Sequence, residues 1–147
     1  MYYRPGRLKV KTTAVAGLIL TIAVALLVLG VPTNAAGTSL SLSANPGVIH
    51  EHGSTTITAV VQGGTPNSRY SVEIAVVAPP VRSGVVTTLV VILHTDAAGN
   101  GKVTVHFPRD FHKKANTDTP GTYWVFATLH VGYYVVTSQY ATFKVKP

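Results

Sequence analysis

From residue 37 onward, apolar and polar residues alternate with a period of two over short segments, separated by clusters of Gly, Pro, Asn and Asp. This alternation is typical of β-strands with one buried face, and the regular turn signals are typical of a two-layer β-sandwich. The pattern predicts an all-β fold of seven strands. The predicted strands lie at residues 40–44, 57–61, 70–76, 85–93, 103–107, 122–130 and 133–146.

One predicted strand departs from the alternation. Residues 85–93 are almost continuously apolar. Such a run is expected either for a strand that is covered on both faces or for a strand that pairs with another molecule. The alternation alone does not choose between the two.

The N-terminal pattern is different, because residues 14–31 form a single run of eighteen residues in which only Thr21 is polar. Arg4, Arg7, Lys9 and Lys11 precede the run without any acidic residue, which predicts an export signal with its N-terminus on the cytoplasmic side. Pro32 ends the apolar run, and the small residues after it resemble a signal-peptidase site following Ala35 or Ala36. We therefore expect an extracellular or cell-surface location.

Two interpretations of this segment stay open. Residues 1–36 are either a cleaved signal peptide or an uncleaved signal anchor, because about 18 residues at 1.5 Å per residue almost span a bilayer core of about 30 Å. In the second case, residues 14–31 form the only predicted contact with the membrane. Residues 37–147 form the predicted sandwich domain in both cases.

Charge and cysteine content narrow the possible functions. The net charge of +7 includes four basic residues of the export segment, and the remaining eight Lys and Arg against five Asp and Glu leave only +3. Apart from one cluster at residues 109–114, these eight are scattered along the chain, so the basic surface expected for nucleic-acid binding is only weakly indicated. The chain has no cysteine, which excludes a disulfide framework and thiolate metal sites.

The segment DTPGTYWV at residues 118–125 resembles the entry into strand F of immunoglobulin-like domains. Tyr123 is then the corner tyrosine, whose hydroxyl bonds back to the main chain, and Val125 takes the place of the second cysteine. A wider resemblance to immunoglobulin-like modules of archaeal and bacterial exported surface proteins covers residues 54–145. It implies a stalk, adhesin, envelope component or filament subunit without enzymatic activity. The motifs that carry it are residues 56–58, 64–74, 95–101, 121–123 and 143–145.

Metal and catalytic chemistry have weak support. His50 and His52 would face the same way in an extended chain, but the other histidines follow no ligand spacing. Asp96, Asn100 and Asp118 could ligate calcium, although Asp and Asn in turns more simply bond to the local main chain. The chain lacks a G-x-S-x-G nucleophile motif and paired carboxylates. We predict no cofactor, no metal and no enzymatic activity.

Aromatic residues near the C-terminus are the candidate binding residues. Trp124, Tyr133, Tyr134 and Tyr140, with Phe126, exceed what one buried face needs, and exposed aromatics are common anchors in recognition. The predicted partner is a protein or a cell-surface polymer, including a second copy of the chain.

Three hypotheses about function follow. The leading one is a non-enzymatic, exported cell-surface protein with a structural or adhesive role. The second is a self-assembling, pilus-like filament subunit in which residues 37–44 add as a donor strand to a neighbour. The third is an envelope carrier of a metal or ligand that uses His50 and His52.

Overall fold

The computed structural model describes residues 37–80 and 86–147, which form nine β-strands. The predicted signal or anchor at residues 1–36 lies outside the described residues. Within the two described ranges, no helix is long and apolar enough to cross a membrane. The strands are β1 (Ser39–Asn45), β2 (Val48–His50), β3 (Thr55–Gln62), β4 (Arg69–Val77), β5 (Val86–His94), β6 (Gly101–Phe107), β7 (Gly121–Val131), β8 (Tyr134–Thr137) and β9 (Ala141–Lys146).

The strands form two sheets. The smaller sheet has the order β1-β3-β6, and the larger sheet has the order β2-β9-β7-β4-β5, with β8 also paired to β7. Every pairing is antiparallel except the one between β2 and β9, which is parallel. This strand order corresponds to strands A, B and E in one sheet and strands C, F and G in the other sheet of immunoglobulin-like sandwiches. The described residues contain no strand at the position of strand D, beside E.

The predicted all-β class with two sheets is confirmed, but the described residues contain nine strands where the sequence predicted seven. The short strand β2 has only three residues, too few to show an alternation. The predicted last strand is divided into β8 and β9 by a β-bulge. Residues 126 and 127 of β7 lie opposite residues 138–140, because the register shifts by one between Thr128↔Thr137 and Val125↔Ala141.

The core lies between the two sheets and contains a group of four aromatic rings. Phe107 of the smaller sheet contacts Tyr123 and Phe143 of the larger sheet, with ring centroids 6.1 and 5.7 Å away. Tyr123 and Phe143 are stacked at 4.9 Å, and Phe111 meets Phe107 edge to face at 5.1 Å. These contacts join the sheets without a disulfide, as the absence of cysteine requires.

The tyrosine corner is present where the sequence predicted it. The buried Tyr123 hydroxyl donates a hydrogen bond to the carbonyl oxygen of Thr119 at 3.1 Å. Burial raises the pKa of Tyr123 above its ordinary value, because the ionised phenol would lose its solvation. Val125 is fully buried at the position of the missing cysteine, so aliphatic packing replaces the disulfide there.

The segment assigned to donor-strand exchange belongs to its own sheet in this structure. β1 pairs with β3 over seven residue pairs, from Ser39↔Gln62 to Asn45↔Thr56. Leu40 is buried, and Leu42 and Ala44 pack against the core. Donor-strand exchange would therefore have to break these seven pairs first.

An aromatic surface on the larger sheet

The outer face of the larger sheet carries aromatic side chains because β7 alternates strictly. Tyr123, Val125 and Ala127 are fully buried in the core. Trp124 and Phe126 therefore project to the opposite side, away from the smaller sheet. Both side chains are only partly covered there.

Tyr140 joins these two residues. Its ring meets the ring of Trp124 edge to face at a centroid distance of 5.7 Å and the ring of Phe126 at 6.0 Å. Burial raises the pKa of the Tyr140 phenol, which agrees with a ring held against its neighbours. We call Trp124, Phe126 and Tyr140 the aromatic cluster.

The β-bulge places Tyr140 in this cluster. The Ser138 N–H donates to the carbonyl of Ala127 at 2.9 Å, and the Ser138 hydroxyl accepts from the Ala127 N–H at 2.9 Å. Ser138 thus satisfies both main-chain groups of Ala127 across the break in the ladder. The extra residue then lets Tyr140 face outward while Phe143 and Val145 still face the core.

Strand β4 supplies the floor beneath the cluster. Ala75 lies opposite Phe126 and Val77 lies opposite Trp124, and both β4 side chains are only 3% exposed although they point outward. Trp124 itself is 37% exposed. The surface therefore combines packed rings, which lose little conformational entropy on binding, with accessible aromatic area. Such a surface fits apolar groups, other rings or the apolar faces of sugars.

The four predicted binding residues do not form one site. Tyr133 and Tyr134 lie at the tip of the β7–β8 hairpin, where Gly132 has φ +59° at the first central position, as a type II′ turn requires. Tyr133 is 105% exposed and packs against nothing. Val131 at the hairpin end lies seven positions along β7 from Trp124, a distance of about 23 Å at about 3.3 Å per residue. Only Trp124 and Tyr140 meet.

Sequence reasoning noted Phe126 without assigning it to the site, and it missed Ala75 and Val77. The available signal was the continuous apolar stretch at residues 74–78, which breaks the alternation of β4. An apolar residue at an outward position of such a stretch is expected to be covered by a neighbouring side chain. The pairing of β4 with β7 supplies it, and pairing is not visible in one sequence.

The histidines that suggested a metal site have separate partners. The chain turns after β2, and His52 has φ +61°, so the extended geometry assumed for the pair is lost. His50 Nδ1 lies 3.0 Å from the carbonyl of Pro147, and His52 Nδ1 lies 2.9 Å from Asp118 Oδ1. Among the described residues, no three His, Asp or Glu side chains are grouped as metal ligands.

The loop residues considered for calcium also bond locally. Asp96 Oδ1 accepts hydrogen bonds from the N–H groups of Ala98 and Asn100, each at 2.9 Å. Asp96 thus closes its own turn, and Asp118 contacts His52 instead.

The smaller sheet has a polar outer face. Ser41 and Ser43 of β1 and Lys102 and Thr104 of β6 are exposed, and the Thr58 and Thr104 hydroxyls lie 3.4 Å apart. At the end of β6, the Asp110 carboxylate accepts from the His106 N–H at 2.7 Å and from Arg109 Nε at 3.0 Å. The His106 N–H, followed by the Arg109 side chain, holds the pKa of Asp110 below its ordinary value.

Comparison with known proteins places the fold but no function. No protein-family model matches the chain, and no curated protein matches it at a significant level. Among solved structures, it is similar to part of the alkylpurine DNA glycosylase AlkC of Pseudomonas fluorescens, bound to DNA containing an abasic site analogue. The identity is 14% and the TM-score 0.50, over 77% of this chain and 31% of the glycosylase. The chain thus spans less than a third of that enzyme's length, and the likeness shows the fold alone.

Two further structures are less similar. One is CsgH of R. palustris, with 10% identity and a TM-score of 0.41 over 73% of this chain and 91% of that one. The other is a CARDB domain from Pyrococcus furiosus in complex with di-metal ions, with 16% identity and a TM-score of 0.43 over 78% and 96%. Both TM-scores are below 0.5, and neither likeness carries an argument about this chain.

The prediction that the chain is not an enzyme is wrong, because the grounds on which it excluded enzymatic activity do not hold. The glycosylase comparison shows that a sandwich of this kind forms part of an enzyme chain. Neither the fold nor the missing G-x-S-x-G motif therefore excludes catalysis, because function depends on the site and not on the fold. The likeness assigns no activity to this chain.

Proposed function

We propose that the chain is an exported cell-surface protein with a structural or adhesive role, an immunoglobulin-like module that binds a protein or a surface polymer. The observation that carries the binding role is the aromatic cluster. Its three rings lie on the outer face of the larger sheet, which takes no part in the core between the two sheets. Trp124 remains 37% exposed there. Partly exposed, packed aromatics are common anchors of recognition.

Export is supported by the sequence. The basic residues before the apolar run at 14–31 fit a translocation signal, and the small residues around Ala35 and Ala36 fit a cleavage site. We expect no nucleic-acid partner, because the basic residues beyond the signal are scattered.

The two alternative functions have less support. A filament built by donor-strand exchange would require β1 to leave its seven pairs with β3. A metal carrier would require His50 and His52 to exchange their present contacts for shared ligation. No contact of the described residues favours either function.

Export is tested first by measuring the intact mass of the native protein in separated membrane, extracellular and cytoplasmic fractions. We expect either a released protein that begins at Ala36 or Gly37, or an uncleaved chain in the membrane fraction whose sandwich is digested by protease added outside the cell. An uncleaved chain found only in the cytoplasm would contradict the proposal.

The binding role is tested by sedimenting the protein with isolated cell envelopes. A Trp124→Ala/Tyr140→Ala variant removes two rings of the cluster, and a Thr58→Ala/Thr104→Ala variant is the matched control on the other sheet. We expect the first pair of substitutions to weaken binding about tenfold or more, equivalent to about 1.4 kcal/mol, and the control to leave it unchanged. Equal binding by both variants would refute a role for the cluster.

A further inference from the structure

Strand β5 forms an edge of the larger sheet. It pairs with β4 over nine residues, from Arg69↔His94 to Val77↔Val86, and no strand among the described residues pairs with its other side. Residues 86–93 contain no charged residue and no proline. Long, uncharged edge strands readily pair with another chain.

The other edges carry features that discourage such pairing. β1 exposes Ser39, Ser41 and Ser43, and β6 exposes Lys102 beside the half-buried His106. β2 at the opposite edge of the larger sheet has only three residues. Short strands and polar or charged side chains are common ways to protect an edge. Among the edge strands of the described residues, β5 is the longest, and it is the one whose exposed side chains are mainly large and aliphatic, with Thr88 and His94 as its exposed polar residues.

The register shows which main-chain groups of β5 are available. Thr95 N–H donates to the carbonyl of Ser68 at 2.9 Å, which continues the β4–β5 register by one pair. In an antiparallel ladder, residues whose main-chain N–H and C=O groups point toward the partner strand alternate with residues whose main-chain groups point away from it. The main-chain groups of Leu89, Val91 and Leu93 are therefore directed toward β4. The N–H and C=O groups of residues 86, 88, 90 and 92 point to the free side.

The side chains of β5 are incompletely covered on both faces. On the outer face, Val86, Val90 and Ile92 are 50%, 59% and 47% exposed. On the inner face, Leu89 and Val91 are only half-buried against the core, whereas Leu93 is buried. The smaller sheet joins this edge only at the bridge between Thr95 and Gly101, beyond the end of β5.

We propose that β5 is the interface with a second copy of this chain. The two β5 strands pair antiparallel about a two-fold axis at Leu89, so that the two larger sheets become continuous. In this register Leu89 faces Leu89 of the second copy, residue 88 faces residue 90, and residue 86 faces residue 92. The main-chain groups that point to the free side thus meet each other.

The sequence of β5 makes this pairing self-complementary. Opposed residues are apolar or threonine, and no like charges meet, because residues 86–93 carry no charge. The register also stops before the Thr95–Gly101 bridge, which occupies the end of the edge. A two-fold contact of this kind uses the same surface on both copies, so it closes as a dimer and does not propagate. The inference does not depend on the proposed cell-surface role.

Cross-linking through one introduced cysteine tests the interface, since the chain has none of its own. Leu89→Cys places a thiol at the axis, where opposed Cα atoms lie about 4.5 Å apart in a non-hydrogen-bonded pair, within the range of a disulfide. Ser41→Cys is the control on the exposed edge strand β1. In the full chain, purified in mild detergent and gently oxidised, we expect disulfide-linked dimers from Leu89→Cys and far fewer from Ser41→Cys.

A second variant separates this interface from association through the N-terminal segment. Val90→Lys places a charge on the exposed side of β5, and Ser41→Lys places one on β1. We expect Val90→Lys to weaken dimerisation in sedimentation velocity by about tenfold or more and to abolish the Leu89→Cys cross-link, while Ser41→Lys does neither. Circular dichroism confirms that each variant is folded. A monomeric wild type, or dimers that form equally with Val90→Lys, would overturn the proposal.

Discussion

The outer face of the smaller sheet carries mostly hydroxyl and charged side chains, whereas the outer face of the larger sheet carries an apolar region among its polar residues. That region contains the aromatic cluster, Ala75 and Val77 of β4, and Val90 and Ile92 of β5. The inner faces do not differ in this way, because both contribute apolar side chains to one core. Folding of a two-sheet sandwich requires apolar side chains on the two inner faces and places no such requirement on the outer faces. An apolar region on the outer face of only one sheet therefore points to contacts outside the domain.

The largest expected difference between the two faces concerns a buried charge. Val77→Asp puts a carboxylate at an outward position that is only 3% exposed, and Thr58→Asp puts one at a half-buried outward position of β3. We expect the first to lower the free energy of unfolding by about 3 kcal/mol or more and the second by about 0.5 to 1 kcal/mol. Urea denaturation measures both. Similar losses would mean that the floor under the aromatic cluster is not closed to water.

The next largest difference is expected in the coupling energy between neighbouring side chains on each outer face, which a double-mutant cycle measures. The contact between Trp124 and Tyr140, at 5.7 Å between centroids, is expected to contribute about 1 kcal/mol of coupling. The contact between Thr58 and Thr104 on the other sheet, at 3.4 Å between hydroxyls, is expected to contribute about 0.2 kcal/mol. If the threonine pair couples as strongly as the rings, the two faces are not distinguished by packing.

Acid is expected to remove one stabilising contribution at the end of the smaller sheet, that of Asp110. The pKa of Asp110 is lowered in the folded state, so its contribution to stability is complete above its ordinary value of 3.8 and is lost as the pH falls further. Asp110→Asn should therefore be less stable than the wild type at about pH 7 and should lose less stability on transfer to about pH 3. Parallel denaturation curves at both pH values test this. The Trp124→Ala variant should keep the acid dependence of the wild type.

The smallest effect is expected at the hairpin tip. Tyr133 is 105% exposed, so Tyr133→Ser should change the free energy of unfolding by less than about 0.5 kcal/mol. Envelope binding should also be unchanged, because the hairpin tip is far from the aromatic cluster. A loss of binding as large as that of the Trp124 and Tyr140 variant would extend the binding surface to the tip.

Much of the fold could be predicted from the sequence, because it depends on local patterns. Alternation located β1, β3, β6, β7 and the first half of β4 to within a few residues. The residues before Tyr123 identified the corner that the Thr119 hydrogen bond confirms. The nearly continuous apolar run became β5, the edge of the larger sheet. The bulge at Ser138 was missed, because one extra residue leaves no mark on a pattern that is only a few residues long.

The site was harder to predict because it depends on pairing. The sequence could nominate Trp124 and Tyr140, but only the β7–β9 register and the bulge show that they meet. Tyr133 and Tyr134 were nominated on the same ground of aromatic excess and lie elsewhere. Ala75 and Val77 carry no chemistry of their own, and their role as a floor follows only from their position opposite Phe126 and Trp124.

The parallel pairing of β2 with β9 has a mechanical consequence. β2 lies near the N-terminal end of the sandwich and β9 near its C-terminal end, with Val48↔Lys144, Ile49↔Val145 and His50↔Lys146 in register. When two parallel strands are pulled apart from opposite ends of the chain, their hydrogen bonds are loaded together in shear. Antiparallel strands pulled in the same way open one bond at a time. Tension along the chain first loads the pairing of β1 with β3, and the three β2–β9 pairs then resist it together.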